Sequence, residues 1–515
     1  MKKTLFTIAL ACTASVMSAQ EYLNINSHWY GESIPVELID SITYGEASNQ
    51  DKLPAIMAQD PNISLFNEAL QVTHLCDSLM EEYNYAYWYS DKSFVSLWNN
   101  AYAPVPQKIK KGYTAFVETD EVFAAHGIKS MKDLKAYAAK VYDEMYPEDA
   151  AISDPTDRRN SLNRFVAYHL LDRKGTKSTL TVAGIKNDRA GKVADKYDRT
   201  KIDIADWYET MMPHSLMKCS SPLLSTKEEK VYINRRGLGE QADSRGVFVE
   251  GTEIVNTDDA NYQGVARNGY YHYINDIIAY DKQTQQVVLD EQIIINNSTM
   301  SPEFMNNDMR INNPYEIVTS DGEVYMPIGS MKNIQINNLD TRFYYLFNKG
   351  WLDTQTDEFL ILGAFDIIIK LPSVPAGTYE LNMGYTANTL RPVVNLYLNE
   401  EFCDTIDLGI LADDERIGWV SDSQLESLEA IAQNDSLMHA HGYRKGLDYC
   451  YSYTNTKTMR EFSNCLRRII TTFTTDGKTD YYLRIKNINL YDDGRSQFHL
   501  DYLELCPTHI LNEYK

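Results

Sequence analysis

The sequence predicts an α+β first half followed by an all-β antiparallel sandwich. Three observations carry that expectation. Helical and strand periodicities are interleaved between residues 53 and 290, helical spacing mostly vanishes from Gln292, and asparagine pairs then punctuate short apolar runs. The length of 515 residues suggests two or three domains, and 43% hydrophobic content suits a folded product. The reading divides the chain into 1–19, a leader and linker over 20–52, a mixed domain over 53–290 and a β-sandwich over 300–515.

At the start, Met1-Lys2-Lys3, the apolar run 5–11 and small residues to Ser18-Ala19 have the form of a secretory signal. Cleavage is expected near Ala19, with lipidation at Cys12 as the alternative; the product is exported either way. No later run is long enough to cross a bilayer as a helix. Net charge is −23, which argues against nucleic acid and anionic membrane surfaces as partners. Beyond Cys12, the six cysteines at 76, 219, 403, 450, 465 and 506 are too dispersed for a metal spacing and too sparse for a disulfide framework. Pairing among the last four is left open.

Residues 22–25, 29–32 and 34–36 read as a short hairpin, followed by the extended run Ile39-Asp40-Ser41-Ile42-Thr43-Tyr44. The Ile-Asp-Ser-Ile stretch resembles a leader of exported proteins from Gram-negative gut bacteria, implying a cell-surface, outer-membrane-associated or extracellular location. Asp40 and Ser41 fit a turn or surface better than a catalytic pair.

In the first half, Asn268-Gly269 turns the chain into Tyr270-Tyr271-His272-Tyr273-Ile274-Asn275, a buried strand in which His272 is read as a satisfied core residue. Residues 247–255 read as a matching strand. Lys111 to Ala124 reads as a strand entering a helix, Ser64 to Leu70 as a helix, and Asn160 or Ser161 caps a helix bearing Leu162, Phe165, Val166 and His169. A further helix is expected from Met131 through Tyr142. Tyr83 to Lys110 is an aromatic-rich excursion with Tyr83, Tyr85, Tyr87, Trp88, Tyr89, Phe94 and Trp98. Between His169 and Asn268 lies a long insertion, in which Ile204 to Met212 is expected to be helical.

Four of these pieces, in order, resemble the boxes of the fasciclin-type adhesion domain: the opening helix, a first box Phe-x-Pro-Thr-Asp-x-Ala-Phe, a central Tyr-His motif and a closing Asn-Gly-Val-hydrophobic-His-hydrophobic-Ile-Asp. Glu118 replaces the usual Pro, and Asn275 the usual Asp. The resemblance runs from about Leu53 to Leu289 and implies adhesion or protein–protein contact with a surface or matrix protein. In animal members the Tyr-His motif has been proposed as an integrin contact. Carried over, the partner contact would be Tyr168 and His169, although both fit helix-face packing as well.

In the second half, the runs 359–371, 379–385, 393–398, 481–488 and 497–505 read as strands, and 421–440 as a helical insert. Leu371 to Leu381, with the closing Phe498-His499-Leu500-Asp501-Tyr502-Leu503-Glu504-Leu505, resembles the galactose-binding-like jelly rolls of carbohydrate-binding modules. Trp419, Tyr443, Tyr449, Tyr451 and Tyr453 are candidate glycan contacts there, because aromatic faces stack on sugar rings.

Catalytic signatures are missing from the sequence: it has no nucleophile elbow, zinc helix or phosphate-cradling loop. His439-x-His441 lacks a third ligand nearby. Asp353 to Glu358 is oxygen-rich without a calcium-loop pattern, and Asp413-Asp414 discriminates nothing in so acidic a chain. No catalytic residue, metal or cofactor is expected. The sequence thus predicts a non-enzymatic exported adhesion protein, or alternatively a glycan-binding accessory protein that uses the sandwich.

Overall fold

The computed structural model describes residues 22–26, 31–35, 52–91, 93–95, 102–177, 179–181, 203–222, 230–255, 264–310, 322–347, 354–448, 458–489 and 494–511. The chain forms two compact units, Met1–Glu46 and Ala47–Lys515. In the first, Tyr22–Asn26 pairs antiparallel with Gly31–Pro35, as the hairpin reading expects. The segment 1–19, with Cys12, and Asp40-Ser41 lie outside the described residues. The expected boundary at 290–300 falls inside the second unit. That unit is rich in β-sheet, with helices concentrated between residues 53 and 168.

Its first half is built around a parallel strand pair. Tyr113–Glu118 runs beside Gly269–Ile274 in the register Phe116 to His272, and Leu170–Leu171 and Val265–Ala266 flank the pair. Helices start where side chains can take up the first free amides. Thr119 caps Asp120–Ala125, Ser130 caps Met131–Met145, and Asn160 caps Ser161–Tyr168. The helix Ser64–Val72 is held from outside: the Asp120 carboxylate accepts from Leu65 N at 2.9 Å and Ser64 Oγ at 2.5 Å. Leu65, Phe66, Phe116, Phe123, Phe165, Val166, Tyr271 and Tyr273 share one buried core, so all four motif pieces meet there.

Two expected strands and one expected helix are corrected. The Ile204–Met212 stretch is not helical: Ile204–Glu209 is a strand paired with Leu216–Ser221. Its period is two, since Asp206 and Tyr208 reach the same guanidinium, that of Arg310, at 2.5 and 2.6 Å. The 247–255 run is broken. Gly251 takes φ +73°, and a Cβ there would lie 2.5 Å from the Ile233 carbonyl, leaving only Thr252–Glu253 as strand. The 359–371 run likewise splits at Gly363 (φ +87°) into Asp357–Leu362 and Asp366–Lys370.

The second half contains two antiparallel sheets. One runs in the order Gly322–Tyr325, Arg342–Phe347, Asp357–Leu362, Gln497–Pro507, Gly377–Thr386, Cys465–Thr475, Tyr443–Lys445, with Ile293–Asn296 also paired to Gln497–Pro507. Asp357–Leu362 is buried along its whole length. Phe304 covers Phe359 from one side at 5.2 Å, and Phe365 stacks on Phe498 at 5.8 Å. The other sheet runs Ile334–Ile336, Asp366–Lys370, Tyr482–Asn487, Val393–Leu398, Glu401–Asp407. Val394, Leu396, Leu483 and Ile485 are buried while their neighbours are partly exposed, so one face of this sheet lies on the core. The expected helical insert is present as Leu428–Ala440. Among the described residues, Cys76, Cys219, Cys403 and Cys506 carry free thiols. No helix among them is long and apolar enough to cross a membrane.

Candidate functional site, an aromatic groove

The residues singled out from sequence are scattered, and several are buried. Tyr168 and His169 are fully enclosed. The Tyr168 hydroxyl accepts from Asn234 Nδ2 at 2.9 Å, and both His169 nitrogens face protein oxygens. Neither offers a surface to a partner, which corrects their candidacy as contacts: the helix face that bears them is the core face. His272 is also a core residue, with Nε2 2.7 Å from the Gly175 carbonyl.

In the second half, Tyr443 is 5% exposed and lies under the Arg468 guanidinium at 4.8 Å, so it presents no free ring face for a sugar. Trp419 is half-buried beside Lys445, at 5.9 Å. Tyr449, Tyr451 and Tyr453 lie outside the described residues, as does Asp353. His439 turns to Glu380 and His441 to the Ile417 carbonyl, so the two imidazoles serve different partners. Asp357 accepts from Asn296, Tyr345 and Ser298, and Asp414 holds Arg416. No group of three or more metal-ligating side chains occurs among the described residues.

The aromatic excursion builds a different site. Its base is closed by Tyr83–Asn84 pairing with Ile109–Lys110, and further out Ser93–Val95 pairs with Tyr102–Pro104. Between these rungs the chain turns on Asn84, whose side-chain oxygen accepts from Ala86 N and whose carbonyl accepts from Tyr87 N, each at 3.1 Å. The turn is pinned from behind by Tyr87 Oη donating to the Pro106 carbonyl at 3.2 Å, and by Tyr89 N donating to the Gln107 carbonyl at 3.1 Å. Holding the backbone this way leaves the next rings outward: Tyr85 is 82% and Trp88 63% exposed.

The opposite wall comes from a residue far along the chain. Tyr325 ends the strand Gly322–Tyr325, and Phe94 of the excursion stacks on it at 4.1 Å with the planes 19° apart. Tyr89 meets the same ring edge-on at 6.5 Å. Pro327, Ile328 and Gly329 then turn outward, leaving a groove of about 520 Å³ between the 84–89 turn and the 325–329 turn. Burial raises the Tyr87 hydroxyl well above the usual phenol range and the Tyr325 hydroxyl in the same direction, so both stay protonated. At the rim, Lys108 Nζ stands 5.3 Å from the Tyr83 ring centroid and 5.8 Å from that of Trp88.

The lining carries no carboxylate and no imidazole. What it supplies is flat apolar area, an amide and phenols, a combination suited to holding a ring with an apolar face and polar edges. A second open depression lies beside Ser64 and Lys129, lined by Glu68 and by Asp120, of which Asp120 is occupied in capping the Ser64–Val72 helix; it has no aromatic wall. Sequence reasoning saw the aromatic density at 83–98 without assigning it a role. It missed Tyr325 and Pro327 to Gly329, for which the sequence carries no local signal.

No family model matches the chain, and no curated protein does. Among solved structures, a Paenibacillus xanthan lyase is similar at a TM-score of 0.21 and 12% identity, over 35% of this chain and 13% of that one. The chain spans about an eighth of that structure's length, and so slight a likeness bears on neither fold nor activity.

Proposed function

We propose that this is an exported, non-enzymatic surface or matrix protein that binds glycan through the groove between the 84–89 and 325–329 turns. One observation carries the reading. Trp88 is a large rigid aromatic left 63% exposed by a turn that is hydrogen-bonded in place behind it. An indole held outward at the lip of an aromatic-walled groove offers apolar area at small entropic cost, which suits the face of a pyranose ring. On this reading the second half keeps its jelly-roll-like sandwich character, while the saccharide contact moves from the Trp419–Tyr453 region to the excursion. A glycan array on wild type and Trp88→Ala tests it: retained glycans should be lost in the variant. Failure of the wild-type chain to hold any saccharide defeats the proposal.

A second reading keeps adhesion through a fasciclin-like first half, with a surface or matrix protein as partner. It is favoured by the gathering of the four motif pieces around one core and the parallel pairing of Tyr113–Glu118 with Gly269–Ile274. Capture of a defined protein partner that persists in Trp88→Ala would select this reading.

A further inference from the structure

We infer that the glycan taken by the aromatic groove is anionic, a uronate-bearing oligosaccharide whose carboxylate pairs with Lys108. The inference rests on the glycan reading above and names the substrate class of that site. Lys108 is exposed, and its ammonium lies beside the rings of Tyr83 and Trp88 without an ion pair among the described residues. Among the described residues, neighbouring cations are engaged: Lys110 with Asp308, Lys111 with Glu81, and Arg342 with the Leu339 and Thr341 carbonyls. Carboxylates near the groove's base are engaged too, Glu82 with Arg267 at 2.7 Å and Glu81 with Lys111. Asp91, the excursion's own carboxylate, is exposed and outside the lining.

A chain of net charge −23 should repel an anionic glycan at long range. That repulsion is screened beyond about 8 Å at physiological ionic strength, so the local charge at the groove decides the contact. There the ammonium, without an ion pair among the described residues, is at the rim and the lining carries no opposing carboxylate. A sugar ring stacked on Trp88 would bring its substituents within reach of the ammonium above the same indole. A carboxylate substituent converts that neighbourhood into a charge-assisted hydrogen bond, whereas a hydroxymethyl group does not. The Asn84 Nδ2 group is left for ring hydroxyls, while the Tyr87 hydroxyl, which donates to Pro106, can only accept from them.

The test uses the full chain and calorimetric titration with tetramers of galacturonate, glucuronate, mannuronate and guluronate. Each is paired with its carboxyl-reduced neutral form. Wild type should bind at least one uronate, weakening as salt rises from about 0.05 to about 0.5 M. The reduced form should bind about tenfold more weakly. Lys108→Gln should lose the same factor and the salt dependence while keeping the wild-type melting temperature, and Trp88→Ala should abolish binding of both forms. Neutral tetramers held as tightly as the uronates, and lost in Trp88→Ala, overturn the anionic inference while leaving glycan binding in place. Uronate binding that ignores Lys108→Gln overturns the inference in the same way. Binding of no tetramer by wild type overturns the anionic inference, and the glycan reading falls with it only if the array also retains no saccharide.

Discussion

His169 and Glu118 form a fully enclosed pair, with Nε2 2.8 Å from Oε1 and neither side chain exposed. The other ring nitrogen stands 2.7 Å from the Phe165 carbonyl. Two oxygen acceptors on one imidazole require two protons, one on Nδ1 and one held between Nε2 and the carboxylate. Phe165 and Phe66 pack on the ring at 4.5 and 5.4 Å, excluding water from the pair. Glu118 closes the central strand where the resembled motif has Pro. The structure therefore gives a place to both the departure at 118 and the Tyr-His motif, and that place is internal.

Breaking this pair should lower stability. Glu118→Ala leaves His169 Nε2 without its partner and should cost about 1–3 kcal/mol, the range for a buried polar group left unsatisfied. Glu118→Gln keeps an oxygen in reach and should cost less. Urea denaturation reads both, and an unshifted midpoint in Glu118→Ala would show that the pair contributes nothing.

His272 should make stability depend on pH in a stated direction. Burial pushes its pKa down from 6.5 to about 4, and the neutral ring bonds the Gly175 carbonyl. The unfolded chain takes up a proton near 6.5 and the folded chain does not, so the contribution is complete above that pH. It is lost as pH falls toward 4, by an amount on the order of 3 kcal/mol, and is flat below. His272→Ala should cost about 1–3 kcal/mol at neutral pH through the lost hydrogen bond and packing. Melting of wild type and variant across pH 4–7.5 checks both statements. A constant difference between the two proteins over that range sinks the titration argument, and an unchanged melting temperature at neutral pH sinks the packing one.

Much of the first half was legible because its signals are local. Thr119, Ser130 and Asn160 cap the helices expected after them, and Asn268-Gly269 turns into the expected strand. The errors have equally local causes. Ile204 to Met212 is short and mixed in character, and what makes it a strand is pairing with Leu216–Ser221 and the shared grip of Asp206 and Tyr208 on Arg310. Gly251 and Gly363 break runs whose residue types alone read as continuous strand. The groove was half legible. Aromatics from Tyr83 to Phe94 stand out in the sequence, but Phe94 meets Tyr325 only through tertiary packing. Aromatic identity cannot separate Trp88, which is outside, from Tyr443, which is under Arg468.

The two halves should not fold apart. Arg310 Nη2 bonds Asp206 at 2.5 Å with Asp206 fully buried, and Gln355 Nε2 reaches the same carboxylate at 3.1 Å. Glu209 holds Lys370 at 3.1 Å and Ser373 N at 3.0 Å. A cut at 290–300 strands these charges on opposite pieces and removes Ile293–Asn296 from its pairing with Gln497–Pro507. Fragments 50–290 and 300–515 are expected to be insoluble alone and recovered together. Arg310→Met should cost the intact chain about 3–5 kcal/mol, because Asp206 is left buried without its partner. Two soluble fragments with cooperative melting would show the interface to be dispensable.

The placement of the saccharide contact is decided by comparing two aromatic truncations. Tyr443 sits in the strand Tyr443–Lys445, 5% exposed, with Arg468 above its ring. Tyr443→Ala should therefore cost about 3–5 kcal/mol, as truncation of a buried aromatic does, and leave the affinity of the surviving folded protein for any groove ligand unchanged. Trp88→Ala removes an exposed ring from a turn whose hydrogen bonds are made by its neighbours, and exposed positions rarely shift stability by more than about 0.5 kcal/mol. It should melt with wild type and fail to bind. The two variants thus separate in opposite senses on two measurements, thermal melting and glycan titration. The opposite assignment, with binding lost in Tyr443→Ala at unchanged stability and retained in Trp88→Ala, would return the contact to the sandwich, where the Tyr443 ring would have to leave Arg468 to receive a sugar.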